Sequence, residues 1–234
     1  MIPEHRHLMK LSRPYINQIV KLLEKDHIRS VHVGTSQLEG AGQGVFASSK
    51  IHYGTILCFY AGIYTPSLPL HSSVEDIFLA NITSPSGSLM DENAYILNLQ
   101  QPFGGFIDGD ALEVSYRMDE NPSACGHLIN HSSQHANMDV INFRWDVVLS
   151  GMAPGNEHAF YRLPNVARCD GSAWYFDSLM NKVVYFDDVQ NSRNESSLSG
   201  SVIYATRELN PGDELLLNYR LKFPYPKWAK HWYS

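Results

Sequence analysis

Residues 126–140, GHLINHSSQHANMDV, set an amide, an imidazole and hydroxyls side by side directly after the apolar pair Leu128-Ile129. Polar groups at the edge of a core must find partners, so the fold has to bring either a ligand or its own backbone to Asn130, His131 and Ser132. His127, His131 and His135 recur at four-residue intervals, which a helix would align as metal ligands. Gly126 and the Ser132-Ser133 pair argue against one long helix, and Leu128 stands where the hydrolytic zinc motif requires Glu. A metal-dependent hydrolase therefore stays only as a distant alternative, and no metal is expected.

The 234 residues, 44% of them hydrophobic, suffice for one domain with a full core. With 18 Lys+Arg against 24 Asp+Glu, the formal charge is -6 and no basic stripe is visible. That argues against sequence-independent nucleic-acid binding and suits a basic, lysine-bearing partner. Cys58, Cys125 and Cys169 are far apart and outside any Cys-x-x-Cys spacing, so neither a disulfide framework nor a zinc cluster is expected. The N-terminal MIPEHRHLMKLSRP lacks the apolar centre of a secretory signal, and no apolar run could span a bilayer. An intracellular setting, nucleus or cytoplasm, is expected; the oligomeric state is not legible.

Ser12 and Pro14 mark a helix start, with Ile16, Ile19, Val20 and Leu23 at helical spacing up to Lys25-Asp26. The stripe packs on the chain's own core or, alternatively, binds a partner. In Gly40-Ala41-Gly42-Gln43-Gly44-Val45 the third glycine comes too early for a dinucleotide fingerprint, and no Gly-Lys-Ser/Thr follows. A tight turn remains, in which glycine lets backbone approach a ligand or another strand. Thr55-Ile56-Leu57-Cys58-Phe59-Tyr60 reads as a buried strand between Gly54 and Gly62. Residues 66–93 read as an inserted loop with Ile77-Phe78-Leu79 docked, and residues 95–99 and 105–108 as short strands. Ala173-Trp174-Tyr175-Phe176 and Lys182-Val183-Val184-Tyr185-Phe186 around Asn181 read as a β-hairpin within the long link 143–201. Residues 191–201 read as a polar loop, residues 201–206 as a strand, and Asn210-Pro211-Gly212 as the turn before Glu214.

The glycine turn of residues 40–47, Tyr60-Ala61-Gly62, Asn130-His131-Ser132 and Gly212-Asp213-Glu214-Leu215-Leu216-Leu217-Asn218-Tyr219, in this order, resemble the SET-domain lysine methyltransferases. Ile107-Asp108-Gly109 and Asn137 continue the resemblance, which spans residues 31–219. His127, Ser133 and Ala136 depart from the Arg, Cys and Pro that many members carry. Leu163-Pro164-Asn165 and Asn218 before Tyr219 look like the branch called SET domain-containing protein nine. The resemblance implies a mainly β fold with some α: several small β-sheets, an N-terminal helix and the hairpin insertion. Its division would be a helical arm at 1–30, the SET domain at 31–222 with insertions near 64–93 and 143–200, and an aromatic tail at 223–234.

The same resemblance implies S-adenosyl-L-methionine as cofactor, held by Gly42, Gln43, Gly44, Asn130, His131 and Tyr219. Asn130 would meet its amino-acid end and the His131 backbone its adenine. Tyr219 and Tyr60 would be catalytic, and Tyr60, Leu217, Phe223, Tyr225 and Trp228 would line the substrate's path. The substrate implied is a lysine of a protein or peptide, a histone included. Each residue has a plainer reading: Tyr60 as a boundary aromatic with a wet hydroxyl, Tyr219 as a core tyrosine closing a strand, the tail as a clamp on the core. A catalytically silent SET domain that binds a peptide or partner is the alternative from a different class.

Overall fold

The computed structural model describes residues 12–24, 27–65, 95–99, 105–110, 118–119, 121–150, 162–169, 172–177, 182–185 and 199–220. Ile77-Phe78-Leu79, the Asn181 turn and the tail with Phe223, Tyr225 and Trp228 lie outside them.

Helix α1 (Arg13–Leu23) starts with proline in its first turn, where no intrahelical N–H is lost, and the Ser12 carbonyl accepts from the N–H groups of Tyr15 and Ile16. It buries Ile19, Leu22 and Leu23, and its Gln18 Oε1 accepts from the Ile56 N–H at 3.0 Å. Of the two readings of its apolar stripe, the structure realises packing on the chain's own core.

The strands make three sheets among the described residues. β1 (Val31–Thr35) and β2 (Gln43–Ala47) form an antiparallel pair flanking the glycine turn. The second sheet uses β4 (Gly62–Thr65), β5 (Ile96–Asn98), β6 (Phe106–Asp108), β9 (Asn165–Cys169), β10 (Ser172–Asp177) and β11 (Lys182–Tyr185), in the order β11-β10-β9-β4-β6-β5. The expected hairpin is present as β10 and β11, and it extends this sheet through β9. The third sheet contains β3 (Ile56–Phe59), β7 (Asn130–His131), β8 (Met138–Arg144), β12 (Ser199–Ala205) and β13 (Leu216–Leu217), in the order β3-β12-β8-β13-β7. The chain is thus mainly β, with several small sheets, as expected.

One sequence reading needs correction. Ser199, Gly200 and Ser201 belong to β12, paired to Arg144, Phe143 and Asn142, and not to a polar loop. Gly200 is required there because the strand crosses aromatic rings: a Cβ on it would lie 2.8 Å from both Phe143 and Trp145. The link after Phe143 also holds a short helix, α2 (Trp145–Ser150). Its Trp145 is fully buried against Phe143 and Phe59, with ring centroids 4.8 and 5.5 Å away. This aromatic cluster anchors the core beneath the third sheet.

Candidate functional site

The late stretch 212–219 is the hub of the molecule. Its first half adds to β2: the N–H of Ala47 donates to the Asp213 carbonyl at 2.9 Å and that of Leu215 to the Val45 carbonyl at 2.8 Å. Its second half, β13, lies between β7 and β8 and runs parallel to both, so that Leu217 faces His131 on one side and Met138 on the other. Residues 132–137 therefore straddle β13. Ser132 N–H donates to Leu217 and Asn137 N–H to Leu216. Asn137, buried, closes the bridge: its Nδ2 donates to the Glu214 carbonyl and its Oδ1 accepts from the Leu216 N–H, both at 2.8 Å.

This threading brings the glycine turn, the Asn-His segment and the late segment together. Asn130 Nδ2 donates to the Gln43 carbonyl at 2.9 Å and to Glu214 Oε1 at 3.1 Å. Glu214 also accepts from Ser36 Oγ at 2.6 Å and from the Gln37 N–H at 3.0 Å. Gly44 fits only because it has no side chain: a Cβ there would meet Glu214 Oε1 at 2.5 Å and Asn130 Nδ2 at 3.2 Å. Gly40 and Gly42 take left-handed φ values of 74° and 71°, and a Cβ on either would meet nothing within 4 Å. The turn thus presents bare backbone to open space.

Tyr219 is tied on both sides of Asn130. Its N–H donates to His131 Nδ1 at 3.1 Å, its hydroxyl donates to the Ile129 carbonyl at 2.7 Å, and its ring lies 5.1 Å from that of His131. Burial pushes the phenol's pKa up, with Tyr95 adding to the effect. Burial also lowers the His131 imidazole, opposed by a hydrogen bond to the Leu217 backbone.

Tyr60 is buried, and its hydroxyl donates to the Tyr95 carbonyl at 2.8 Å, so the reading of a wet boundary hydroxyl does not hold. Its pKa is raised first by burial, then by the Tyr219 phenol, Asp108 and Tyr95. Asn165 fixes the Tyr60 strand end: its Nδ2 donates to the Tyr60 carbonyl at 3.1 Å, while Trp145 Nε1 donates to its Oδ1 at 3.4 Å. The Leu163-Pro164-Asn165 stretch thus reaches the site through Tyr60.

The four-residue spacing of the three histidines does not translate into a helix. Gly126–Leu128 is a single 3-10 turn and Asn130–His131 a strand, so His127, His131 and His135 share no helix face. Among the described residues, no three His, Cys, Asp or Glu side chains are grouped to hold a metal ion. His127 instead lies buried with its ring 6.5 Å from those of Tyr60 and Tyr95, and its Nδ1 has no hydrogen-bond partner among the described residues. Sequence reasoning assigned no role to Glu214, Ser36, Asn137 or Tyr95. The signal for Glu214 is a carboxylate set directly before the apolar run Leu215-Leu216-Leu217 and just after the Gly212 turn.

No protein-family model matches the sequence, and no curated protein matches it. Among solved structures, CpSET8 from Cryptosporidium is 15% identical, with 92% of this chain and 69% of that one covered and a TM-score of 0.43. The Chaetomium thermophilum polycomb repressive complex 2 is 15% identical, with 85% of this chain covered and a TM-score of 0.37; this chain spans 16% of the length of that one. KRYPTONITE in complex with mCHH DNA, an H3(1-15) peptide and SAH is 16% identical, with 84% and 24% covered and a TM-score of 0.37. Among the described residues no helix is long and apolar enough to cross a membrane.

Proposed function

We propose that the chain is a SET-domain protein of the branch called SET domain-containing protein nine, and that it transfers a methyl group from S-adenosylmethionine to a lysine of a protein substrate. A histone tail belongs to that substrate class. What carries the reading is the convergence of the glycine turn, Asn130-His131 and Tyr219 on the β13 segment, three stretches 84 to 88 residues or more apart that meet through direct hydrogen bonds. The proposed domain limits are those of the sequence: an arm at 1–30, the SET domain at 31–222 with insertions near 64–93 and 143–200, and a tail at 223–234.

The residues present fit the cofactor. Gly42, where a Cβ would meet nothing within 4 Å, admits close approach, with Gln43 and Gly44 continuing the same turn, and Asn130 Oδ1, which has no partner among the described residues, is an acceptor suited to an ammonium group. His131 supplies backbone beside them. When bound, S-adenosylmethionine supplies an electrophilic sulfonium methyl.

Tyr219 and Tyr60 do the orienting. Each hydroxyl donates its proton to a backbone carbonyl, which fixes the direction of the phenol oxygen towards which the incoming amine would be aligned. Because burial raises both phenols, neither is a base at neutral pH; they hold and align. Alignment alone contributes about 7–11 kcal/mol in favourable intramolecular cases. A lysine amine, with an ordinary pKa of about 10.4, loses its proton more readily among buried aromatics, and Tyr60 and Leu217 are the described residues proposed to line its path. Phe223, Tyr225 and Trp228 complete that proposed path from outside the described residues.

The test is transfer of a labelled methyl from S-adenosylmethionine to proteins or histone peptides by the full chain. Incorporation at lysine supports the reading. Saturable cofactor binding without transfer to any protein would favour a silent, peptide-binding SET domain.

A further inference from the structure

We propose that Glu214 is a positioning residue that fixes which end of the Asn130 amide meets a ligand, so that Asn130 can only accept a hydrogen bond there. The ligand's identity rests on the function proposed above; the geometry does not. Glu214 is only 8% exposed, and a carboxylate so buried needs compensation. Three neutral donors meet it: Ser36 Oγ, the Gln37 N–H and Asn130 Nδ2. They come from the end of β1 and from β7, and the carboxylate itself rides on the segment leading into β13.

The consequence falls on Asn130. Its amide nitrogen carries two hydrogens, and both are taken, by the Gln43 carbonyl and by Glu214 Oε1. Turning the amide over would set Oδ1 against two acceptors at about 3 Å, which hydrogen-bond geometry forbids. Only Oδ1 remains for a ligand. A group seated there must bring N–H or O–H, as an α-ammonium does, and a carboxylate is rejected. Gly44 belongs to the same device, since any side chain would displace Glu214 Oε1.

Glu214→Gln keeps the shape and tests the claim. It removes the charge from the acceptor that Asn130 Nδ2 meets, and an NH2 facing Asn130 drives that amide to turn over. Binding of S-adenosylmethionine to the folded full chain is expected to weaken about tenfold or more, the scale of losing a charge-assisted hydrogen bond. In an Asn130→Ala background the same substitution should cost less than about threefold, because the side chain through which Glu214 acts is gone. Equal losses in both backgrounds would make Glu214 merely structural and overturn the proposal. If the wild type binds no cofactor, the functional reading fails while this one is still decided. The Asn130 side-chain amide hydrogens should then be slow to exchange in wild type by NMR and fast in Glu214→Gln, and no change would refute the role. Should Glu214→Gln fail to fold, Glu214→Asp keeps the charge but draws the carboxylate back from Asn130 Nδ2, and is read by the same cycle and exchange measurement, with the same contrasts expected.

Discussion

The Tyr219 hydroxyl donates to the backbone carbonyl of Ile129 at 2.7 Å, so the phenol next to β13 is fastened to the residue just before Asn130. Tyr219→Phe keeps the ring and removes that bond, leaving a buried carbonyl short of a partner at a cost of about 1–3 kcal/mol in stability. Methyl transfer should fall far more, by about a thousandfold or about 4 kcal/mol, since the hydroxyl aligns the reacting groups. Thermal unfolding and labelled-methyl turnover, measured together, separate the two effects. Equal turnover in a folded variant would remove Tyr219 from the chemistry.

Gly44→Ala and Gly40→Ala should part company. At Gly44 the added Cβ strikes a carboxylate oxygen that Ser36 and Asn130 hold in place, and the overpacking should cost about 1–3 kcal/mol and abolish cofactor binding. At Gly40 the added methyl meets open space and only the left-handed φ of 74° is strained, for about 1–2 kcal/mol with binding retained. Denaturant unfolding and calorimetry on the two variants check this; binding retained by Gly44→Ala would contradict it.

Burial lowers the His127 imidazole from 6.5 to about 4. The folded chain therefore keeps it neutral where the unfolded chain takes up a proton. Its contribution is fully present above pH 6.5 and is lost as pH falls towards 4, by about 3 kcal/mol at the lower end. His127→Phe, which also removes the unpartnered Nδ1, should flatten this part of the stability profile. His131, likewise lowered by burial, leaves a residual slope in the variant. Urea unfolding of both proteins from pH 7 to 4 reads the difference; parallel profiles would show that His127 titrates normally.

Asn137 carries the bridge over β13 with both ends of its amide. Asn137→Asp retains the acceptor for Leu216 and loses the donor to the Glu214 carbonyl, turning a buried bond into an oxygen–oxygen contact. A loss of about 3 kcal/mol or more is expected, and more than for Asn137→Ala, which leaves unpaired groups without repulsion. Chemical denaturation of the two variants ranks them.

The local elements were legible because their causes are local. Pro14 and the apolar spacing mark α1, Gly54 and Gly62 bound β3, and runs of aromatic and β-branched residues announce β10 and β11. The placement of β13 between β7 and β8 was not legible, because it joins residues about 80 apart that no short-range pattern relates. The same holds for Glu214, whose partners Ser36 and Asn130 lie 178 and 84 residues away. Ser199 and Gly200 read as a loop from composition, yet tertiary packing over Phe143 and Trp145 demands Gly200 in that strand. His127 carried a metal-like spacing that vanished once Gly126–Leu128 proved to be a 3-10 turn.

Calorimetry of the folded chain with S-adenosylmethionine tests the proposed cofactor site most directly. Saturable one-to-one binding is expected, weakened in Asn130→Ala by about 1–3 kcal/mol, the cost of an unmet polar group. Absence of binding in the presence and absence of a lysine substrate, or unchanged affinity in Asn130→Ala, would contradict the site built on Gly44, Asn130 and Glu214.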